Sequence, residues 1–217
     1  MAESSSVYLR EQFATPEQQR DSATLGMWIF IVTEMMLFGA LFASFAGYHH
    51  WYPFGFTKGS SEMEYLLGSI NTAVLICSSL TMSLAEYSAA RDRTTRCIFL
   101  LLLTALIGAA FLGIKFTEYY LHFKDHKLPG FGFQEPGPMH TQVQMFFFFY
   151  FVMTGLHSIH LLVGIGLVLA MLVPLLGGTI SAKYHTPIDN VSLYWHFVDV
   201  IWVFLYAIFY IPGAHLR

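Results

Sequence analysis

The stretch "SLYWHFVDVIWVFLYAIFYIPG", residues 192–213, decides the fold. A helix that crosses a bilayer needs about 20 largely apolar residues, and this stretch supplies them. It nevertheless carries His196 and Asp199 three positions apart, on one face of a helix. An aspartate at mid-helix costs roughly 2.5–3.5 kcal/mol on insertion scales, so the pair demands a reason for being there.

The rest of the chain has the same character. Of 217 residues, 55% are hydrophobic and only 12% charged, and the mean hydropathy is +0.54. These values lie outside the usual range for soluble domains and indicate a polytopic membrane protein. A formal net charge of -3 with scattered basic residues does not suggest a nucleic-acid surface or a strongly charged substrate. Residues 1–24 are polar and mixed in charge, without the basic-then-apolar layout of a cleaved signal peptide, and are expected to be retained as a flexible tail. Cys77 and Cys97 have no CxxC or Cys/His partner spacing and read as small buried thiols.

Five stretches qualify as spans in an all-α transmembrane bundle, residues 25–217: about 25–50, 65–87, 96–121, 140–173 and 190–212. The separators "YPFGFTKGSSE", "RDRTTR", "KDHKLPGFGFQEPGPMH" and "PLLGGTISAKYHTPID" carry turn chemistry. An odd number of crossings puts the ends of the chain on opposite faces. Arg10, Arg20, Arg91, Arg93, Arg96 and Lys183 lie on the side of the N-terminus, against Lys58, Lys124, Lys127 and Arg217 on the other. Three of the first group share one very short loop, which orients the N-terminus to the cytoplasm and the C-terminus outside. The fourth stretch, at 1.5 Å per residue, is roughly 50 Å long against a hydrocarbon core near 30 Å, so it must tilt or protrude. Small residues at every fourth position, Gly39/Ala43/Gly47 and Ala105/Ala109/Gly113, suit close helix contacts in lipid.

The intramembrane polar residues come in helical pairs. His157 and His160 in "TGLHSIH" share a face, as do His196 and Asp199. Glu34 lies midway along the first span, and Lys115 and Glu118 in "GIKFTEYY" sit near the end of the third, within reach of the interface by snorkelling. Three readings follow. A haem or copper centre would need His157, His160 and His196 to converge from different helices, each ring oriented by a second group. A transporter would use Glu34, Asp199 and the histidines as an ion or proton relay, although no repeat of broken helices accompanies them. The plain reading is that each histidine and carboxylate satisfy one another inside the bundle, and that Glu34 is a protonated carboxyl bonded to a neighbouring helix.

Taken in order, "LGMWIFIVTEMMLFGALF", "LLGSINTAVLICSSLTMSLAE", "GIKFTEYY", "TGLHSIHLLVG" and "YWHFVDVIWVFLY" resemble the helices of subunit III of the haem-copper oxidases, over about residues 25–212. The last motif is the most specific. The chain is similar to the short five-helix bacterial type, since the mitochondrial form has two further N-terminal spans. It departs from the family at Asp189, where a glutamate is usual, and in a short external stretch at 51–64.

The resemblance implies a subunit without catalytic residues, metal, haem or copper of its own. Its partners would be subunit I, which reduces oxygen to water and pumps protons, and subunit II, with haem and copper held by those partners. It further implies phospholipid in a cleft between helix groups, support of proton uptake and a multi-pass place in a bacterial plasma membrane. On this reading His196 and Asp199 brace the bundle as a buried pair, and Glu34 is the candidate for a role at the lipid cleft or in proton uptake. The same subunit type occurs in quinol oxidases and beside nitric oxide reductases, and other subunits choose the electron donor.

Overall fold

A computed structural model describes residues 12–130, 133, 138–182 and 184–214. Among them the chain forms α1 (Pro16–Trp51), α2 (Pro53–Ser61), α3 (Tyr65–Ala89), α4 (Thr94–Lys124), α5 (His140–Ala170), α6 (Leu172–Leu176) and α7 (Thr186–Phe209). Five stretches are long and apolar enough to cross a membrane: α1, α3, α4, α5 continued by α6, and α7.

The helices outrun the apolar stretches where the flanking residues are good helix formers, as Glu17, Gln18, Gln19 and Arg20 are at the start of α1. α1 starts at Pro16, whose fixed φ suits the first turn, and Thr15 caps it by accepting the Gln18 amide at 3.2 Å. Residues 16–24, expected as tail, are therefore helical, while residues 1–11 of that tail lie outside the described residues. The separator at 51–64 is also a helix in part. α2 lies against α5, and its Gly55 and Gly59 are small because a methyl at either would collide with Gln142 or Phe146.

α7 is the central helix and α1 the peripheral one. In the most apolar stretch of each, 56% of α7 is buried but only 17% of α1. Trp195 and Trp202 of α7 are fully buried. Gly108 of α4 and Gly164 of α5 leave room for the Trp195 ring, and Phe111 meets Trp202 edge-to-face at 4.7 Å. Hydroxyls of α3 take both indole N–H groups, Ser78 from Trp195 at 3.2 Å and Thr72 from Trp202 at 3.1 Å. α1 is held at one end by Phe45, whose ring centroid lies 5.2 Å from Phe56, 5.8 Å from Phe149 and 5.1 Å from Phe209.

Contacts between connections agree with five crossings. On one side Gln19 of α1 bonds Tyr184, and the Asp92 carboxylate accepts the Ala182 amide, joining the α3–α4 and α6–α7 turns. On the other, Lys127 pairs with Glu62 at 2.6 Å, and Ser60 donates to Phe209 O at 2.7 Å while accepting the Gly213 amide at 2.8 Å.

Two packing expectations are corrected. Gly39 and Gly47 have no atom within 4 Å of where a methyl would sit, so these two positions of the first small-residue stripe pack on no helix among the described residues, and Gly39 lines a groove; Gly113 is equally open. Cys77 is exposed on the outer face of α3, and only Cys97 is buried.

Candidate functional site

Three polar constellations lie within the apolar bundle. The first joins α1 to α5. Glu34 Oε2 lies 2.9 Å from His160 Nε2, with 18% and 13% of the two side chains exposed. The other ring nitrogen, Nδ1, lies 2.8 Å from Leu156 O. A carbonyl oxygen only accepts, so Nδ1 carries a hydrogen, and a neutral ring then has a bare Nε2. The contact with Glu34 must therefore hold one proton: either the carboxyl donates it to Nε2, or an imidazolium donates to the carboxylate. Tyr194 of α7 donates to His160 O at 2.9 Å, fixing the backbone that carries the ring. Phe38 packs edge-on against the imidazole at 5.3 Å.

Phe38 also forms part of the wall of an apolar groove of about 620 Å³ between α1 and α7, with Gly39, Phe42, Ala46, Phe204 and Ile208. Glu34 does not line this groove, whereas Phe38 both lines it and packs against the imidazole. The Glu34 carboxyl points into the α1–α5 seam, where it meets His160.

The second constellation was read as a pair that snorkels. Instead Lys115 and Glu118 are each 1% exposed. The ammonium donates to Glu118 Oε2 at 3.0 Å, Tyr150 Oη at 2.9 Å and Tyr210 Oη at 2.7 Å. Glu118 Oε1 in turn accepts from Tyr150 at 2.8 Å and Tyr210 at 2.6 Å. All three ammonium hydrogens and both phenols are used, so the cluster is closed within the protein and needs no interface. Local spacing does not reveal Tyr150 and Tyr210, which lie 35 and 95 residues from Lys115. The available signal was the lysine itself, an ionisable residue set in an apolar helix.

The third lies between α3 and α7. The expected His196–Asp199 pair does not form. His196 Nδ1 lies 2.8 Å from Ser79 Oγ and Nε2 lies 3.2 Å from Ser83 Oγ. Both Asp199 oxygens are buried without a hydrogen bond among the described residues. Ser79 lies beside the carboxylate, but at hydrogen-bond distance it meets the imidazole. Spacing of three residues puts the two side chains on one face, yet the α3 serines are better placed to reach the ring.

The histidines do not converge. His157 is fully buried, its ring held 5.7 Å from Phe111 and 5.2 Å from Trp202, with neither nitrogen hydrogen-bonded among the described residues. It is therefore not satisfied by a carboxylate as the plain reading supposed. Among the described residues no three His, Cys, Asp or Glu side chains stand close enough to hold a metal ion.

Comparison with known proteins gives the family. Residues 14–214 match the family model described as cytochrome c oxidase subunit III. Cytochrome c oxidase subunit 3 of Thermostichus vulcanus is 32% identical over 88% of this chain and 88% of its own length. The cytochrome bo(3) ubiquinol oxidase subunit 3 of Pseudomonas aeruginosa is 30% identical over 89% and 86%. A probable quinol oxidase subunit 3 of Staphylococcus haemolyticus is 30% identical over 87% and 88%. With almost the whole length matched and the five spans in place, the chain belongs to the cytochrome c oxidase subunit III family.

Proposed function

We propose that this protein is the non-catalytic subunit III of a proton-pumping haem-copper oxidase in a bacterial plasma membrane, seated beside subunit I, with subunit II in the same complex. Oxygen reduction, haem and copper belong to the partners. The chain's own contribution is structural and protonic. The apolar groove between α1 and α7 suits a phospholipid acyl chain, since its walls are aromatic and aliphatic and the small Gly39 and Ala46 leave it open. The Glu34–His160 contact suits support of proton uptake, because it places a carboxyl and an imidazole, both able to carry a proton, 2.9 Å apart within the bundle.

The observation that carries the proposal is that contact, an intramembrane carboxyl bonded to an imidazole whose tautomer is fixed, in a chain matched to the family over residues 14–214. The short Arg91–Arg96 turn supports a cytoplasmic N-terminus and an external C-terminus. Relatives named for cytochrome c and for ubiquinol stand at similar identity, so a quinol oxidase is the second reading. Affinity purification of the tagged chain from native membranes tests the proposal. The complex is expected to carry haem and to consume oxygen, whereas the chain separated from it gives no haem band and no stoichiometric copper. A haem-free complex would overturn the proposal, and copper in the co-purifying subunit II would favour cytochrome c as donor over quinol.

A further inference from the structure

The carboxyl of Asp199 is 8% exposed, neither of its oxygens accepts a hydrogen bond among the described residues, and it lines a pocket of about 330 Å³ between α3 and α7. Leaving a buried polar group without a partner is costly in a bilayer, where no bulk water competes to solvate it. The pocket holds further polar groups: the ring of His196, and Ser79 and Ser83, both of which bond that ring. Its rim is apolar and open. Ile76 is 59% exposed, Leu80 61% and Val203 47%, and each of them lines it. An exposed aliphatic rim around a polar centre, with serines in place of bulky residues, is how transmembrane helices meet one another: small side chains admit the approaching backbone and polar groups supply the bonds.

Depth decides what kind of group can enter. Asp199 lies ten residues from the end of α7 at Phe209 and thirteen from its start at Thr186, so roughly 15–20 Å of helix extends on each side. Ser79 is similarly central in α3, fourteen residues after Tyr65 and ten before Ala89. The pocket therefore opens at the middle of a hydrocarbon core about 30 Å thick, out of reach of phospholipid headgroups, which stay at the interfaces. Acyl chains reach that depth but bring no hydrogen-bond donor. A side chain on another transmembrane helix does both. We propose that the Asp199 pocket receives a hydrogen-bond-donating side chain from a transmembrane helix of a partner subunit, the α3–α7 face being a subunit contact centred on this carboxyl. The inference rests on the reading of the chain as part of a multi-subunit oxidase. It also gives Asp199 the partner that His196 does not provide.

The test uses the whole complex in native membranes. A photo-crosslinking amino acid is placed at Leu80 or Val203, exposed rim positions whose replacement leaves the core untouched, and the adduct is identified by mass spectrometry. A crosslink to a polypeptide that co-purifies with the haem-bearing complex is expected from both positions. Crosslinks to lipid alone, with haem still co-purifying, would overturn the inference while leaving the proposed function standing; loss of haem from the preparation would count against the oxidase reading instead. A second measurement uses Asp199→Leu and Asp199→Asn. Retention of the partner subunits through detergent washing should fall about threefold to thirtyfold for leucine, the range spanned by one interhelical hydrogen bond. It should fall less for asparagine, whose carbonyl still accepts a bond. The separated subunit should melt at the same temperature or higher with leucine, since an unbonded carboxyl has been removed. Equal retention of partners in both variants and the parent would overturn the inference.

Discussion

Removal of either member of the Lys115–Glu118 pair should be among the most damaging single changes in the chain, and the two should not be equal. Breaking a buried ion pair by deleting one partner typically costs about 3–5 kcal/mol, because the other charge is left without compensation. The geometry ranks the two deletions. In Lys115→Met, the Glu118 carboxylate keeps two phenol donors, at 2.8 Å from Tyr150 and 2.6 Å from Tyr210. Bonds to a charged group contribute about 1.5–3 kcal/mol each, so this variant should fall near the lower end of that cost. In Glu118→Leu, the ammonium keeps only phenol oxygens as acceptors, at 2.9 and 2.7 Å, and both phenol hydrogens lose their carboxylate. That variant should reach the upper end. The double variant replaces an ion pair by apolar side chains, which is often close to neutral, so its cost should fall well below the sum of the singles. In thermal unfolding of the purified protein in detergent, single losses of this size correspond to roughly 6–20 °C for a chain of this length. Additive effects in the double variant, or Lys115→Met falling further than Glu118→Leu, would refute the reasoning.

Glu34→Gln keeps size and can still donate a hydrogen bond to His160, but it cannot exchange a proton; assembly should be normal, with a pH-dependent loss of proton uptake or of turnover lifetime in the oxidase. Identical behaviour to the parent at every pH would reduce the contact to a structural one. Gly108→Ala should destabilise by about 1–3 kcal/mol through overpacking, since its methyl would lie 2.8 Å from the Trp195 ring, whereas Gly39→Ala should stabilise by up to about 1 kcal/mol, because nothing lies within 4 Å and alanine is the better helix former; melting temperatures of the two variants decide. Ser60→Ala removes a hydroxyl that ties both Phe209 O and the Gly213 amide, and limited proteolysis should then cut the segment after α7 faster than in the parent.

The architecture was legible because each span declares itself locally, through about 20 apolar residues bounded by turn chemistry. Helix ends were less legible, as at Pro16 and at α2, because hydropathy marks the part that sits in lipid and not the full hydrogen-bonded helix. Of the site residues, Glu34 and His160 could be picked out singly, yet their contact spans 126 residues and leaves no mark on either local pattern. The i,i+3 rule misled at His196–Asp199 and held at Lys115–Glu118 for the same reason: sharing a face makes a pair feasible, and competing groups on neighbouring helices determine whether it forms. Serines of α3 drew His196 away, whereas the two tyrosines reinforced the lysine pair.

The peripheral place of α1 bears on how the chain is made. α1 leaves the ribosome before α7, on which it mainly packs. Roughly 135 residues separate the end of one from the start of the other, which at about 5–20 residues per second is a wait of roughly 7–27 s. Throughout that interval Glu34 sits in or near the bilayer without α7 beside it, and without His160 until α5 has been inserted. Until α5 arrives the Glu34 carboxyl lacks its imidazole partner, and the apolar residues of α1 alone must offset the cost of holding it in the bilayer.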